Sequence, residues 1–97
     1  MTEIELDAAV RDLQRKYCLL GFHVEDPRLS RAGWPDWVIV GRAVMWRELK
    51  SAYGETTTPQ RTWGFALIHA GADYGIWRPV DLLSGRIERE LAAIRLC

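Results

Sequence analysis

Two apolar runs mirror each other about Gly41-Arg42-Ala43, and that mirror restricts the fold more than any other feature of the chain. Upstream stands Gly33-Trp34-Pro35-Asp36-Trp37-Val38-Ile39-Val40, and downstream stands Val44-Met45-Trp46-Arg47-Glu48-Leu49-Lys50. A hairpin centred on Arg42 sets Val40 against Val44, Val38 against Trp46, and Asp36 against Glu48. Directly opposed residues share a face, and the period of two puts Lys50 on that face as well. Leu49 then turns the other way, toward Trp37, Ile39 and Met45. Both faces carry apolar residues, so the sheet is expected to be covered on both sides. A slip of one residue would scatter the three polar groups.

Helices and a further strand are expected on either side. Leu6, Val10, Leu13 and Tyr17 recur at helical spacing and predict a helix over residues 3–20, capped by Thr2 and stopped by Gly21. Phe22-His23-Val24-Glu25 alternates as a short strand, broken by Asp26-Pro27, and residues 27–35 form a loop. Thr58 reads as the N-cap of a second helix with Pro59 in its first turn. Trp63, Ala66, Leu67 and Ala70 make its inner stripe, and Gly71 its stop. Residues 73–78 read as a third core strand ended by Pro79. Leu82, Leu83, Ile87, Leu91 and Ile94 mark a last helical region, interrupted near Gly85. The expected fold is α/β in the order α-β-β-β-α-β-α.

At 97 residues the chain holds one domain, residues 1–97. A core this small buries proportionately little surface, so self-association would help it. Thirteen basic residues balance thirteen acidic ones, and composition alone announces no nucleic-acid binder. Cys18 and Cys97 are isolated, in no metal-ligand spacing; they read as a core thiol and a terminal one, with no disulfide framework. Without a signal peptide or a long apolar span, the expected location is cytoplasmic.

The chemistry-bearing row is Asp36, Glu48 and Lys50. Two carboxylates side by side can hold a divalent metal, and the lysine can orient a nucleophile or steady an anion. Taken singly, Glu48 and Lys50 could be a solvated charge pair, and Asp36 turn chemistry after Pro35; their mirrored placement favours function. Arg28 and Arg31 before the row, and Arg61 at a helix start, suit phosphate. Tyr53 could stack on an exposed base. Trp34, Trp37, Trp46, Trp63 and Trp77 read as packing, His23 and His69 as structural, and residues 86–90 as a solvated helix face with i,i+4 pairs.

Gly33-x-Pro35-Asp36, Glu48-x-Lys50, the Thr58-Pro59-Gln60 helix start and Gln60-x-x-Trp63, in that order, resemble the VRR-NUC branch of the PD-(D/E)xK nucleases. The resemblance spans nearly the whole chain. It implies a restriction-endonuclease-like core, with a mixed central sheet flanked by helices, that uses Mg²⁺ or Mn²⁺. Asp36, Glu48 and the Leu49 carbonyl would be metal ligands, Lys50 would orient water or stabilise charge, and Gln60 would line the site. A first-helix acid usually completes such sites; Glu5 fits best by its distance to Gly21, with Glu3 as second choice. Stand-alone members resemble phage-encoded homodimers acting on branched DNA such as Holliday junctions, with no small-molecule cofactor and no membrane. A flap or single-strand nuclease, or an idle nucleic-acid-binding module of the same fold, are the alternatives.

Overall fold

The computed structural model describes every residue except Glu25, Asp26, Pro27, Leu29 and Ser30. Its elements run α1 (Glu3–Lys16), β1 (Leu20–His23), β2 (Trp37–Val40), β3 (Val44–Leu49), α2 (Thr58–His69), β4 (Asp73–Trp77), α3 (Pro79–Leu83) and α4 (Arg86–Ala93). One mixed sheet has the order β1-β2-β3-β4, with β4 alone parallel to its neighbour. The hairpin register is the expected one: Val40 pairs with Val44, Val38 with Trp46, and Ile39 with Met45. The last helical region splits at Gly85, whose φ of +81° breaks the run into α3 and α4.

The odd-numbered strand residues build the core. Trp37, Ile39, Met45, Leu49 and Trp77 are buried against Leu6 and Val10 of α1 and Ile87 and Leu91 of α4. Arg47 is buried among them and is met from three directions. It donates to the Asp73 carbonyl (2.8 Å) and carboxylate (2.9 Å) and to Glu90 Oε1 (2.8 Å). Glu90 also accepts from Trp77 Nε1 (3.1 Å) and Arg86 Nε (2.7 Å). Residues 86–90 are therefore only partly the solvated face expected. The Arg86–Glu90 i,i+4 pair exists, but Glu90 also reaches under the sheet, and Glu88 accepts from Lys16 Nζ and Tyr17 Oη.

The even-numbered face differs from expectation. Helix α2 lies over β4, where the missing Cβ of Gly64 makes room for the Tyr74 ring; an added Cβ would meet it at 2.7 Å. Over β1, β2 and the hairpin end of β3, Leu20, Phe22, Val40 and Val44 remain exposed. The sheet is covered on one side and half-covered on the other, because a twelve-residue helix is narrower than four strands.

Three local expectations also shift. Helix α1 ends at Lys16, well before Gly21, which lies inside β1. Cys18 takes the left-handed position (φ 58°) while the Leu19 N–H bonds back to the Gln14 carbonyl, closing the helix without glycine. The first strand thus starts at Leu20, and the expected continuation to Glu25 and the Asp26-Pro27 break lie outside the described residues. The α2 N-cap is Thr57, one residue early, in a capping box with Gln60.

Cys18 and Cys97 are neither core nor isolated. They form a disulfide with Cα atoms 5.7 Å apart, tying the end of α1 to the chain's C-terminus across a separation of 79 residues. Sequence spacing this long carries no signal for pairing. Closing so long a loop constrains the unfolded chain, and bridges of this kind stabilise by about 2–4 kcal/mol. The protein treated with dithiothreitol, or a Cys18→Ser variant, should therefore melt well below the oxidised wild type. Equal melting temperatures would show that the bridge contributes nothing.

Candidate active site

The site lies at the far end of the hairpin from its turn. Asp36 sits one residue before β2, held by Pro35, which is buried. Its Oδ2 accepts the Leu49 N–H at 2.7 Å. In an extended strand the N–H and C=O of one residue point to the same side, so the Leu49 carbonyl is directed toward Asp36 too. Glu48, on the opposite face of β3 from Leu49, is almost wholly buried. Its Oε1 accepts from Gln60 Nε2 at 3.0 Å, whereas Oε2 takes no hydrogen bond among the described residues. Burial above all, then the adjacent Asp36 charge and a proton shared with it, push the Glu48 carboxyl up to about 9 against the lowering pull of Lys50.

Gln60 has two tasks. Its Oε1 accepts the Thr57 N–H (2.9 Å) to complete the capping box, and its Nε2 reaches Glu48. The start of α2 is thereby tied to the carboxylate row. The loop before Asp36 is fitted to the same helix start. Gly33 has φ +86°, and a Cβ there would fall 2.3 Å from the Pro59 backbone. Trp34 packs edge-on to Trp63 with ring centroids 5.0 Å apart. The two sequence signatures, Gly33-x-Pro35-Asp36 and Gln60-x-x-Trp63, are two sides of one contact.

The helix carboxylate that faces the row is Glu3. Burial, then Asp36, raise its pKa, with Lys50 acting in the opposite sense. Glu3, Ile4, Asp7, His23, Asp36 and Leu49 line a cleft of about 350 Å³. Glu5, preferred from sequence, is instead consumed by the α1 capping box, where Thr2 N–H donates to Glu5 Oε1 (3.0 Å) and Glu5 N–H to Thr2 Oγ1 (3.1 Å). These bonds hold its carboxyl below the usual range. Thr2-x-x-Glu5 is a capping signature legible in the sequence, and it was the signal against Glu5. His23, read from the sequence as structural, lines this cleft and is also tied into the packing around Trp37. Its Nε2 lies 3.4 Å from Asp7 Oδ1, itself bound by Trp37 Nε1 (2.7 Å), and its ring packs on Trp37.

No family model, no curated protein and no solved structure matches this chain.

The remaining residues expected at the site fall into two groups. Tyr53, almost fully exposed, and Arg61 line one hollow of about 410 Å³ together with Arg78, next to the turn that follows Lys50. Arg61 is folded onto its own helix start, donating to Thr56 and Thr58. Arg78, which sequence reasoning missed, donates to the Ser51 and Gly54 carbonyls (2.8 and 2.7 Å) and so fixes that turn. Arg28 and Arg31 are exposed on the segment leading to Asp36, outside that hollow. Tyr74 was also missed; Trp46 pairs with it across β3 and β4, and burial, then Glu48, raise its phenol pKa.

Among the described residues no three acidic, histidine or cysteine side chains come together to hold a metal by themselves. The donors present still fit a hard cation of the Mg²⁺ kind, which keeps several waters and needs only one or two carboxylates. Asp36 and Glu48 would supply these, the proton between them giving way to the cation, and the Leu49 carbonyl would be a third oxygen.

The charge on Glu48 sets a pH signature. Its folded pKa exceeds that of the unfolded chain, so between about 4.5 and about 9 the folded state holds the extra proton. Stability then falls as pH rises through that window. Glu48→Gln removes the titration and keeps a partner for Gln60, so it should melt higher than wild type by a margin that widens with alkalinity. A pH-independent difference would contradict a buried, raised carboxyl.

Proposed function

We propose that the protein is a metal-dependent endodeoxyribonuclease of VRR-NUC type, structure-selective for branched DNA and working as a homodimer. The observation that carries this is the row of Asp36, buried Glu48 and Lys50 at the strand ends, with Asp36 held by the Leu49 N–H and Glu48 by Gln60. Burial of an acid whose ionisation is this costly has no evident structural return, because among the described residues Gln60 is the one donor to Glu48 and its other polar neighbour is the Asp36 carboxyl, whose charge opposes ionisation. Raised carboxyl pKa values of this kind mark functional sites.

Mg²⁺ or Mn²⁺ bound there would polarise a phosphoryl oxygen and acidify water. The chain's own part is positional. Asp36 is fixed by the Leu49 N–H and Glu48 by Gln60, so the carboxylates need no reorganisation. Lys50 offers a cation at the same edge, where negative charge grows on the phosphorane. Tyr53 and Arg61, on the hollow beside Lys50, are suited to a base and a phosphate of a strand entering from that side. Arg28 and Arg31 would meet phosphates on the other approach. With DNA as substrate, the working compartment is the cytoplasm of a bacterial or phage-infected cell.

The test is a cleavage panel of duplex, flap, fork and four-way DNA with and without Mg²⁺. Four-way cleavage that disappears with EDTA supports the reading. Preference for flaps or single strands moves the substrate class, and binding without any cleavage makes the chain an idle module. Binding should also weaken steeply as salt rises.

A further inference from the structure

We infer that the open half of the sheet is the surface on which a second copy of this chain docks. The inference gives the proposed homodimer a place in the fold. It rests on that reading only for the existence of a dimer, since the surface argument uses no catalytic residue.

Two cross-strand rows make up the surface: Leu20–Val40–Val44 and Phe22–Val38–Trp46. All six residues are apolar and lie on the face opposite the core; with α2 sitting over β4, Leu20, Phe22, Val40 and Val44 are exposed, while Val38 and Trp46 are half-buried between them. Leu20 is 68% exposed, Phe22 65%, Val44 38% and Val40 37%. At roughly 200 Å² per large side chain, these four alone present on the order of 400 Å² of apolar surface. A stable interface buries about 800 Å² on each partner, with an apolar centre and a polar rim. The patch is therefore the size of the centre of such an interface.

The occupant follows from shape and charge. A face without charged side chains offers nothing to a nucleic acid or an acidic peptide. It is a pleated surface of two cross-strand rows, the shape a facing sheet matches residue by residue. A pleated apolar face is complemented by another such face, in the aligned packing of two sheets about 10 Å apart. A second copy presents that face by symmetry, and an isologous contact closes without leaving a new edge. The next row along the strands holds Asp36 and Glu48, so the contact would lie beside the carboxylate row and leave it open.

Sedimentation of the full chain, with DNA cleavage assayed separately, tests this. Wild type should run at twice the mass of the 11.1 kDa chain. Leu20→Lys and Phe22→Glu, at exposed positions, should each run as single chains with unchanged circular dichroism. Oxidised Val44→Cys should give a chain-to-chain crosslink, which holds the inference to account even where a charged variant misfolds. Phe65→Glu, at an exposed position of α2 beside β4 and away from the two rows, should remain dimeric, as should Lys50→Ala. A monomeric wild type overturns the inference. So does a dimer that persists in both charged variants and gives no crosslink, or one that only Phe65→Glu dissociates. A dimer built this way that cuts no DNA overturns the nuclease reading alone.

Discussion

Lys50→Ala protein with a native melting temperature is expected to lose DNA cleavage by at least about 10²–10³-fold, the usual loss when one preorganised charge or donor is removed from a transition state. The side chain can be lost at little structural cost. Lys50 is only partly buried, and its main-chain N–H, which bonds the Trp77 carbonyl at 3.0 Å, is untouched by the substitution. Asp36→Asn is the sharper companion. The amide oxygen can still accept the Leu49 N–H, so the loop and strand stay joined while the negative charge disappears. Cleavage should fall at least as far as in Lys50→Ala, and Mg²⁺ binding measured by calorimetry should weaken with it. Folded Lys50→Ala that cleaves as wild type would remove the assignment, whatever the other variants do.

How much of this was legible depended on the range of the interaction. The hairpin register was readable because a short turn and a period of two leave only one pairing that keeps Trp37, Ile39, Met45 and Leu49 together. The split at Gly85 and the stop at Gly71 were readable because both glycines carry positive φ. The end of α1 was not, since Cys18 occupies the left-handed position that glycine normally marks. The site was legible to the extent that it lies on one hairpin. Glu3 and Glu5 sit in the same helix turn, and only recognition of the Thr2-x-x-Glu5 box separates them. The Cys18–Cys97 bridge, the fit of Gly33 onto Pro59 and the reach of Glu90 to Arg47 join distant segments, and no local pattern encodes their partners. Reduction of the bridge would leave the fold dependent on its packed core and on the last of these contacts.

Arg47→Met should destabilise the domain by about 1–3 kcal/mol, the cost of leaving a largely buried acceptor without one of its donors, against a total of about 5–15 kcal/mol for a domain of this kind. The guanidinium is the common donor to β4 through Asp73 and to α4 through Glu90, and it sits within 5.2 Å of the Trp77 ring. Methionine fills the space of the stem but leaves Glu90 facing the core. Burial pushes the Glu90 carboxyl up, yet bonds from Arg47, Arg86 and Trp77 outweigh this and hold it below the usual range. The stability that Glu90 contributes is thus present above the ordinary carboxylate pKa and is lost as pH falls through the depressed value. Without Arg47 that acid-side loss should shrink, because less depression remains to be lost. Asp73 is more than half exposed and can return to water, so the cost falls mainly on Glu90. Urea unfolding of Arg47→Met, Glu90→Leu and the double variant closes a cycle. The double variant should recover part of the loss, since a buried pair replaced by apolar residues costs less than a pair half removed. Strict additivity would mean that Arg47 and Glu90 stabilise the fold independently, and that the link from sheet to α4 is not theirs.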